Sequence, residues 1–381
     1  MAQRQFRSDD TSQWTYGFGN GSDGALSISA DTTEAPIDSA CTGNAASTSL
    51  SATNVSFATG QIILIHKTRT GDDAGEWELN KIASYSAGTI TLAHPLINTY
   101  AAGSQVLVMK QYSSVTIQNT FTLTAKAWTG TVGGILAFFC SGSVTFQGTG
   151  KMANAGGAAS GVTPAARQGF RGGTATGGSG TIGCRGEGDG GDTAAATRAH
   201  LNNAGGGGNG TSARGGQGGG HAAAGSGNGE PGEAVGTASL VSMHFGGAGG
   251  SAGTGNSGQG NAGGGGGGII LIIAKDVTQS GTGVTSVSGG QGGNGVYGGG
   301  GGAGGSILIK CQTASLGTNL FTSIAGPLGT GSTDAGFAGA VGRIHIDYKT
   351  SLTGTTTPTL DSTNDLTLDY RYGGGFLLNM L

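Results

Sequence analysis

The chain has 381 residues, of which 84 are Gly and only 6 are Pro; charged residues make up 10% and the formal net charge is −3. Glycine several times the ordinary ~7%, with charge far below the ordinary ~25%, excludes both an ordinary enzyme domain and a charge-rich disordered tail. Glycine does not recur at every third position, which excludes collagen, and the absence of charge asymmetry argues against nucleic acid and anionic membranes as partners.

The N-terminal MAQRQFRSDDTSQW lacks the apolar core of a secretion signal, and no stretch reaches the ~18 apolar residues of a membrane span. The expectation is a protein made in a cytoplasm, without a signal peptide and without membrane insertion. Residues 1–50 are polar and turn-rich, with one alternating strand at Ala25–Ile28, and read as an attachment or lead-in segment that a partner would order.

Residues 51–154 are all-β in texture. Short β-branched or aromatic runs fall at Gln61–His66, Trp77–Ile82, Thr89–Leu92, Gln105–Met109, Ser114–Ile117, Phe121–Ala125, Ile135–Phe139 and Ser143–Phe146, separated by Gly, Asn, Asp and Ser turns. Their number and length predict a small barrel or sandwich passing into β-coils. Within this part Asp72, Asp73, Glu76 and Glu78 form the densest acidic cluster; its spacing does not match a calcium loop, and a solvated hairpin tip is expected.

Residues 155–350 hold most of the glycine, and 351–381 form a C-terminal extension. Ile270-Leu271-Ile272, Ile307-Leu308-Ile309 and Ile344-His345-Ile346 are strand cores, each with a glycine two residues upstream. Their spacings, 307 − 270 = 37 and 344 − 307 = 37, make one unit repeated, and Gly134-Ile135-Leu136-Ala137-Phe138 is a weaker earlier copy. Each unit reads as a strand, a weaker second strand (Val284–Val287; Leu320–Ile324) and a glycine-rich excursion back to the next strand.

Ordering a residue costs ~1–2 kcal/mol of backbone entropy, most for glycine. The excursions gain order only through their main chains, as in a polyglycine II lattice of extended threefold helices that hydrogen-bond to one another. The competing reading of 155–268 is a flexible glycine linker. The predicted class is therefore all-β, a barrel or sandwich with stacked β-coil repeats and a polyglycine II lattice.

The runs GGGGNG, GGQGGG, AGGGGGG and YGGGGGAGG, interrupted by loops and preceded by a β-rich part, resemble phage receptor-binding proteins, especially the tail-fibre-tip adhesins of T-even-like phages. The resemblance spans roughly residues 155–345. FGNGSDGALSIS and GQIILIHKTRTGDDAGEWELNKIAS are also similar to lead-in regions of phage tail proteins, whereas the 37-residue repeat and the C-terminal extension are closer to glycine-rich bacterial surface repeats. It implies a virion surface protein that binds a bacterial glycan or outer-membrane protein, joined to other virion proteins by its N-terminal segment or C-terminal tail, with homo-oligomerisation open. The alternative is a virion-decorating or filament-forming protein without receptor specificity.

Recognition on such a scaffold falls to the interrupting loops. Arg198, His200, Asn202 and Asn203 in one, and Leu240, Met243, His244 and Phe245 in the other, are the candidate receptor-binding residues, with Tyr297 and Phe337 as tips of the later excursions; the apolar ones serve equally as lattice caps. The C-terminal LDYRYGGGFLLNML either binds another subunit or folds back on the last strand. Glu187, Asp189 and Asp192 read as solvated loop charge. The six histidines are scattered, no Ser/His/Asp order or zinc motif is present, and the four cysteines form no metal-ligand pair. Neither catalysis, metal nor cofactor is expected.

Overall fold

The computed structural model describes residues 17–163, 168–175, 182–191, 199, 202–207, 215–254 and 260–368. Among these residues the only helix is a 3-10 turn, Gly71–Asp73, and no helix is long and apolar enough to cross a membrane. The protein is all-β. In chain order the strands are β1 (Ala25–Ile28), β2 (Thr32–Glu34), β3 (Asp38–Gly43), β4 (Ser49–Ala52), β5 (Ile62–Lys67), β6 (Trp77–Ser86), β7 (Thr89–Leu92), β8 (Tyr100–Val108), β9 (Lys110–Tyr112), β10 (Ser114–Ile117), β11 (Thr122–Ala125), β12 (Ile135–Phe146) and β13 (Lys151–Met152). After the first glycine-rich segment come β14 (Ile269–Gln279), β15 (Thr285–Ser286), β16 (Gly295–Tyr297), β17 (Ser306–Thr322), β18 (Gly331–Asp334), β19 (Arg343–Thr357) and β20 (Asp361–Asn364).

A parallel stack runs β1-β10-β12-β14-β17-β19-β20, with β9 on β12 and β15 on β17. A smaller parallel sheet, β13-β11-β2, lies beside it. β1, β10 and β12 each hand the chain on to a strand of the smaller sheet, so each coil contributes one rung to both. The 37-residue period becomes the register: Ile270 pairs with Ile307 and Ile307 with Ile344, while Leu136 of the earlier copy pairs with Ile270. The two runs expected at 135–139 and 143–146 are one strand with a register shift between Cys140 and Ser143, the mark of a bulge.

The barrel is inserted between the first and second coils. Strands β3-β4-β7-β6-β5-β8 close into a six-stranded antiparallel barrel. The expected lead-in is thus shared out, residues 25–28 going to the stack, 32–34 to the smaller sheet and 38–52 to the barrel. β5 is buried along its whole length, which its continuous apolar run IILIH reflects. Ile63 and Ile65 fill the barrel, whereas Ile62 and Leu64 pack outward on Ile135, Phe139, Ile269 and Leu271 of the stack. Alternation along one strand joins two cores. On the far side of the stack, Leu136, Phe138, Ile270, Ile272, Ile307, Ile309, Ile344 and Ile346 form the third core.

The glycine segments pack as threads beside this core. In one thread Gly263 and Gly266 donate their N–H groups to Gly173 and Phe170, Gly264 and Gly267 to Gly300 and Ala303, and Gly265 and Gly268 to Gly157 and Asn154. In the next, Gly298, Gly301 and Gly304 donate to Asp334, Phe337 and Ala340, Gly299, Gly302 and Gly305 to Gly293, Gly290 and Val287, and Gly300 and Ala303 to Gly250 and Gly247. Every third residue therefore faces the same neighbour, and buried amides that no strand ladder serves are satisfied thread to thread. All four cysteines are buried and free.

Candidate functional site

A cleft of about 630 Å³ opens where the barrel meets the glycine threads. The barrel side supplies Gly71, Asp72, Asp73, Ala74, Glu76, Trp77, Ile97 and Asn98; the thread side supplies Asp189, Asn202, Glu233, Val235, Gly236, Val241, Ser242 and His244. The acidic turn is not simply a solvated tip, since it forms one wall of this cleft. Lys67, only 5% exposed, anchors that wall through Glu76 at 2.6 Å.

The loop at residues 240–245 is fastened from both sides. The buried His66 ring donates from Nε2 to the Met243 carbonyl at 2.8 Å, and its Nδ1 accepts from the Thr68 hydroxyl at 2.8 Å, which itself accepts from the Gln105 amide at 2.9 Å. Burial, opposed in part by the Met243 bond and helped by the nearby His244, lowers the His66 pKa to about 4, so the ring stays a neutral clamp at neutral pH. The Met243 N–H donates to Gly75 O, and Ser306 Oγ of β17 donates to His244 O at 2.7 Å.

His244 itself is 6% exposed. Its Nδ1 lies 2.8 Å from Asp189 Oδ2 and its Nε2 3.2 Å from Ser242 Oγ. Gly75 and Gly236 cover the ring; at both, φ is positive, +86° and +67°, and a methyl group would lie within 3.0 Å of ring atoms. Asp189 is 1% exposed; its N–H donates to Asn203 Oδ1 at 3.0 Å, its carbonyl accepts from Gly71 N, and its Oδ1 has no partner among the described residues. Two residues away, the fully buried Glu187 is a filled node: Arg69, Arg171 and the Trp128 indole N–H all donate to it. Glu187 is therefore a structural ion-pair centre, not loop charge.

The sequence-predicted residues divide accordingly. Asn202 and His244 line the cleft. Leu240, Met243 and Phe245 are fully buried among Trp128 and Phe170, with Phe245 edge-on to Trp128 at 5.4 Å, so they form the floor beneath the loop and present no contact surface. Asn203 is fully buried and ties Asp189 to the Phe245 carbonyl. Tyr297 is buried in β16 and its carbonyl accepts from Asn261. Phe337 is half-buried and bonded through its main chain to Gly216 and Gly301. Arg198, His200, Asp192 and the C-terminal tail beyond Leu368 lie outside the described residues.

Sequence reasoning missed Trp77, Glu233 and Ser242 as cleft residues, and the only signal available for Trp77 was an aromatic beside an acidic turn. Among the described residues no group of three or more His, Cys, Asp or Glu is arranged to hold a metal ion. The chain matches no family model, no curated protein and no solved structure.

Proposed function

We propose that this chain is a receptor-binding protein of a phage virion surface, made in the host cytoplasm, which holds a bacterial surface glycan in the cleft between barrel and threads. The observation that carries the reading is the cleft itself: a volume of about 630 Å³, within the range of small-ligand sites, walled by Asp72, Asp73, Glu76, Glu233, Asn98 and Asn202 with Trp77 among them. Carboxylates and amides offer hydrogen-bond partners to sugar hydroxyls, and an indole gives an apolar face to a sugar ring.

The scaffold belongs to the same reading. We take the threads to be polyglycine II helices, because their donors return to one neighbour every third residue and a threefold extended helix has that period. Such a lattice leaves recognition to the loops that interrupt it, and several copies on a virion would multiply a weak contact.

Trp77→Ala and the rim pair Asp72→Ala/Glu233→Ala test the site in a cell-adsorption assay. Each is expected to lower adsorption at least tenfold, since a central aromatic typically supplies 2 kcal/mol or more, without change in thermal unfolding of the rim pair. Wild-type adsorption by both variants would place recognition elsewhere.

A further inference from the structure

We propose that the cleft also hydrolyses esters, with Ser242 as nucleophile, His244 as general base and Asp189 as the carboxylate that positions His244. The natural substrate class, an O-acylated neutral sugar, rests on the glycan reading of the cleft; the chemistry does not.

The three side chains come from two separated segments and meet as one chain of contacts. Asp189 Oδ2, a carboxylate oxygen that only accepts, lies 2.8 Å from His244 Nδ1, so Nδ1 carries a proton, and whenever the ring is neutral the Nε2 lone pair faces Ser242 Oγ at 3.2 Å. That is the tautomer a general base requires. All three residues line the cleft, and Ser242 is half-buried, open to a ligand. The nearby Glu187 has both oxygens filled by cations and an indole N–H. Asp189 has no cation on it: its Oδ1 is unpartnered among the described residues and its Oδ2 faces His244 Nδ1, where its charge stabilises the imidazolium that forms when the serine proton moves. The loop that carries nucleophile and base is clamped by His66, Gly75 and Ser306, which fixes their distance before substrate arrives.

In the reaction Ser242 Oγ bonds to the acyl carbon as its proton passes to His244 Nε2. The acyl C–O bond then breaks, His244 gives that proton to the departing sugar hydroxyl, and an acyl-serine remains. Water attacks it with His244 again as base, releasing a carboxylic acid and regenerating Ser242. No oxidant, reductant or further reactant is needed. The carboxylates around the cleft favour neutral over anionic esters.

Full-length protein is assayed with 4-nitrophenyl acetate and with an O-acetylated polysaccharide, and is treated with a fluorophosphonate probe read by peptide mass spectrometry. The expected results are release of acetate and phosphonylation of Ser242. Ser242→Ala should lose at least about a hundredfold in rate and all labelling, while Ser239→Ala, outside the cleft, keeps both. Asp189→Asn should lower kcat with KM little changed. Absence of hydrolysis together with an unmodified Ser242, or equal rates in wild type and Ser242→Ala, would overturn the proposal. The small ester and the probe need no glycan recognition, so loss of adsorption in cleft variants bears on the binding reading alone.

Discussion

Gly266 shows what glycine does in this molecule. Its φ does not lie in the left-handed region, so conformational freedom is not the reason for it; a methyl group there would collide with the Gly246 carbonyl, a main-chain atom of the neighbouring thread. Gly263 and Gly300 meet Gly249 and Gln217 in the same way. The requirement is for absent bulk, and it follows from how near the backbones must come to exchange hydrogen bonds. Glu78 illustrates the opposite case, a charge-bearing group where charge is unwelcome. It is 6% exposed in the barrel, its Oε2 accepts from Ile97 N at 2.8 Å, and its Oε1 has no partner among the described residues. Burial raises its pKa from 4.5 to about 7, against the pull of the Ile97 and Asn98 N–H groups and Lys67. The folded protein therefore binds this proton more tightly than the unfolded chain, and the associated stability is complete below about 4.5 and is lost as pH rises through about 7. Glu78→Gln stays neutral throughout. Relative to wild type it should gain roughly 2–3 kcal/mol between pH 5 and pH 8, measured by urea unfolding at both; His66 and the fully buried His221, whose pKa burial lowers to about 3, are common to both proteins and cancel. A difference that does not move with pH would contradict this account.

At the scale of elements, the 37-residue spacing was legible because one unit is copied with its strand pairing intact: the same interval that separates Ile270, Ile307 and Ile344 in sequence brings them side by side in the sheet. Barrel strands β5 to β8 were legible from β-branched runs, down to the bounds of Thr89–Leu92, as was β10 of the stack at Ser114–Ile117, whereas β3 and β4 were hidden in the polar stretch read as a lead-in. What was hidden is that β1 pairs with β10, because the barrel separates them in the chain and four-residue strands carry no partner information. Register can be tested directly. One residue inserted between Gly305 and Ser306 would swap the faces of Ile307 and Leu308, which now belong to different cores. Insertion there should abolish cooperative unfolding or lower the midpoint by more than 10 °C, while an insertion beside Val55, 83% exposed in a barrel loop, should shift it by no more than a few degrees. Equal effects at both positions would show that the strands can slip.

At the scale of the whole molecule, barrel and threads are held against one stack, and the cleft exists only where they meet. Asp72, Asp189, Asn202, Glu233 and Ser242 are scattered along the chain, and no local pattern could announce that they share a wall. His244 was singled out as a loop residue, but its partners depend on one thread lying next to another, which sequence periodicity does not reveal. Leu240, Met243 and Phe245 were ambiguous for a physical reason: apolar side chains in a polar loop suit a contact surface or a floor equally well, and only packing on Trp128 and Phe170 decides.

The central claim is that main-chain hydrogen bonds between threads hold the glycine-rich half in place. Native-state amide hydrogen exchange reads those bonds one by one. The N–H groups of Gly263–Gly268 and Gly298–Gly305 are each bonded to another thread, to the start of a strand or to a neighbouring excursion, and should be protected by at least about a thousandfold, comparable to Ile270–Ile273 of β14. Exchange of these glycine amides at the rate of an unstructured chain, with β14 still protected, would contradict it.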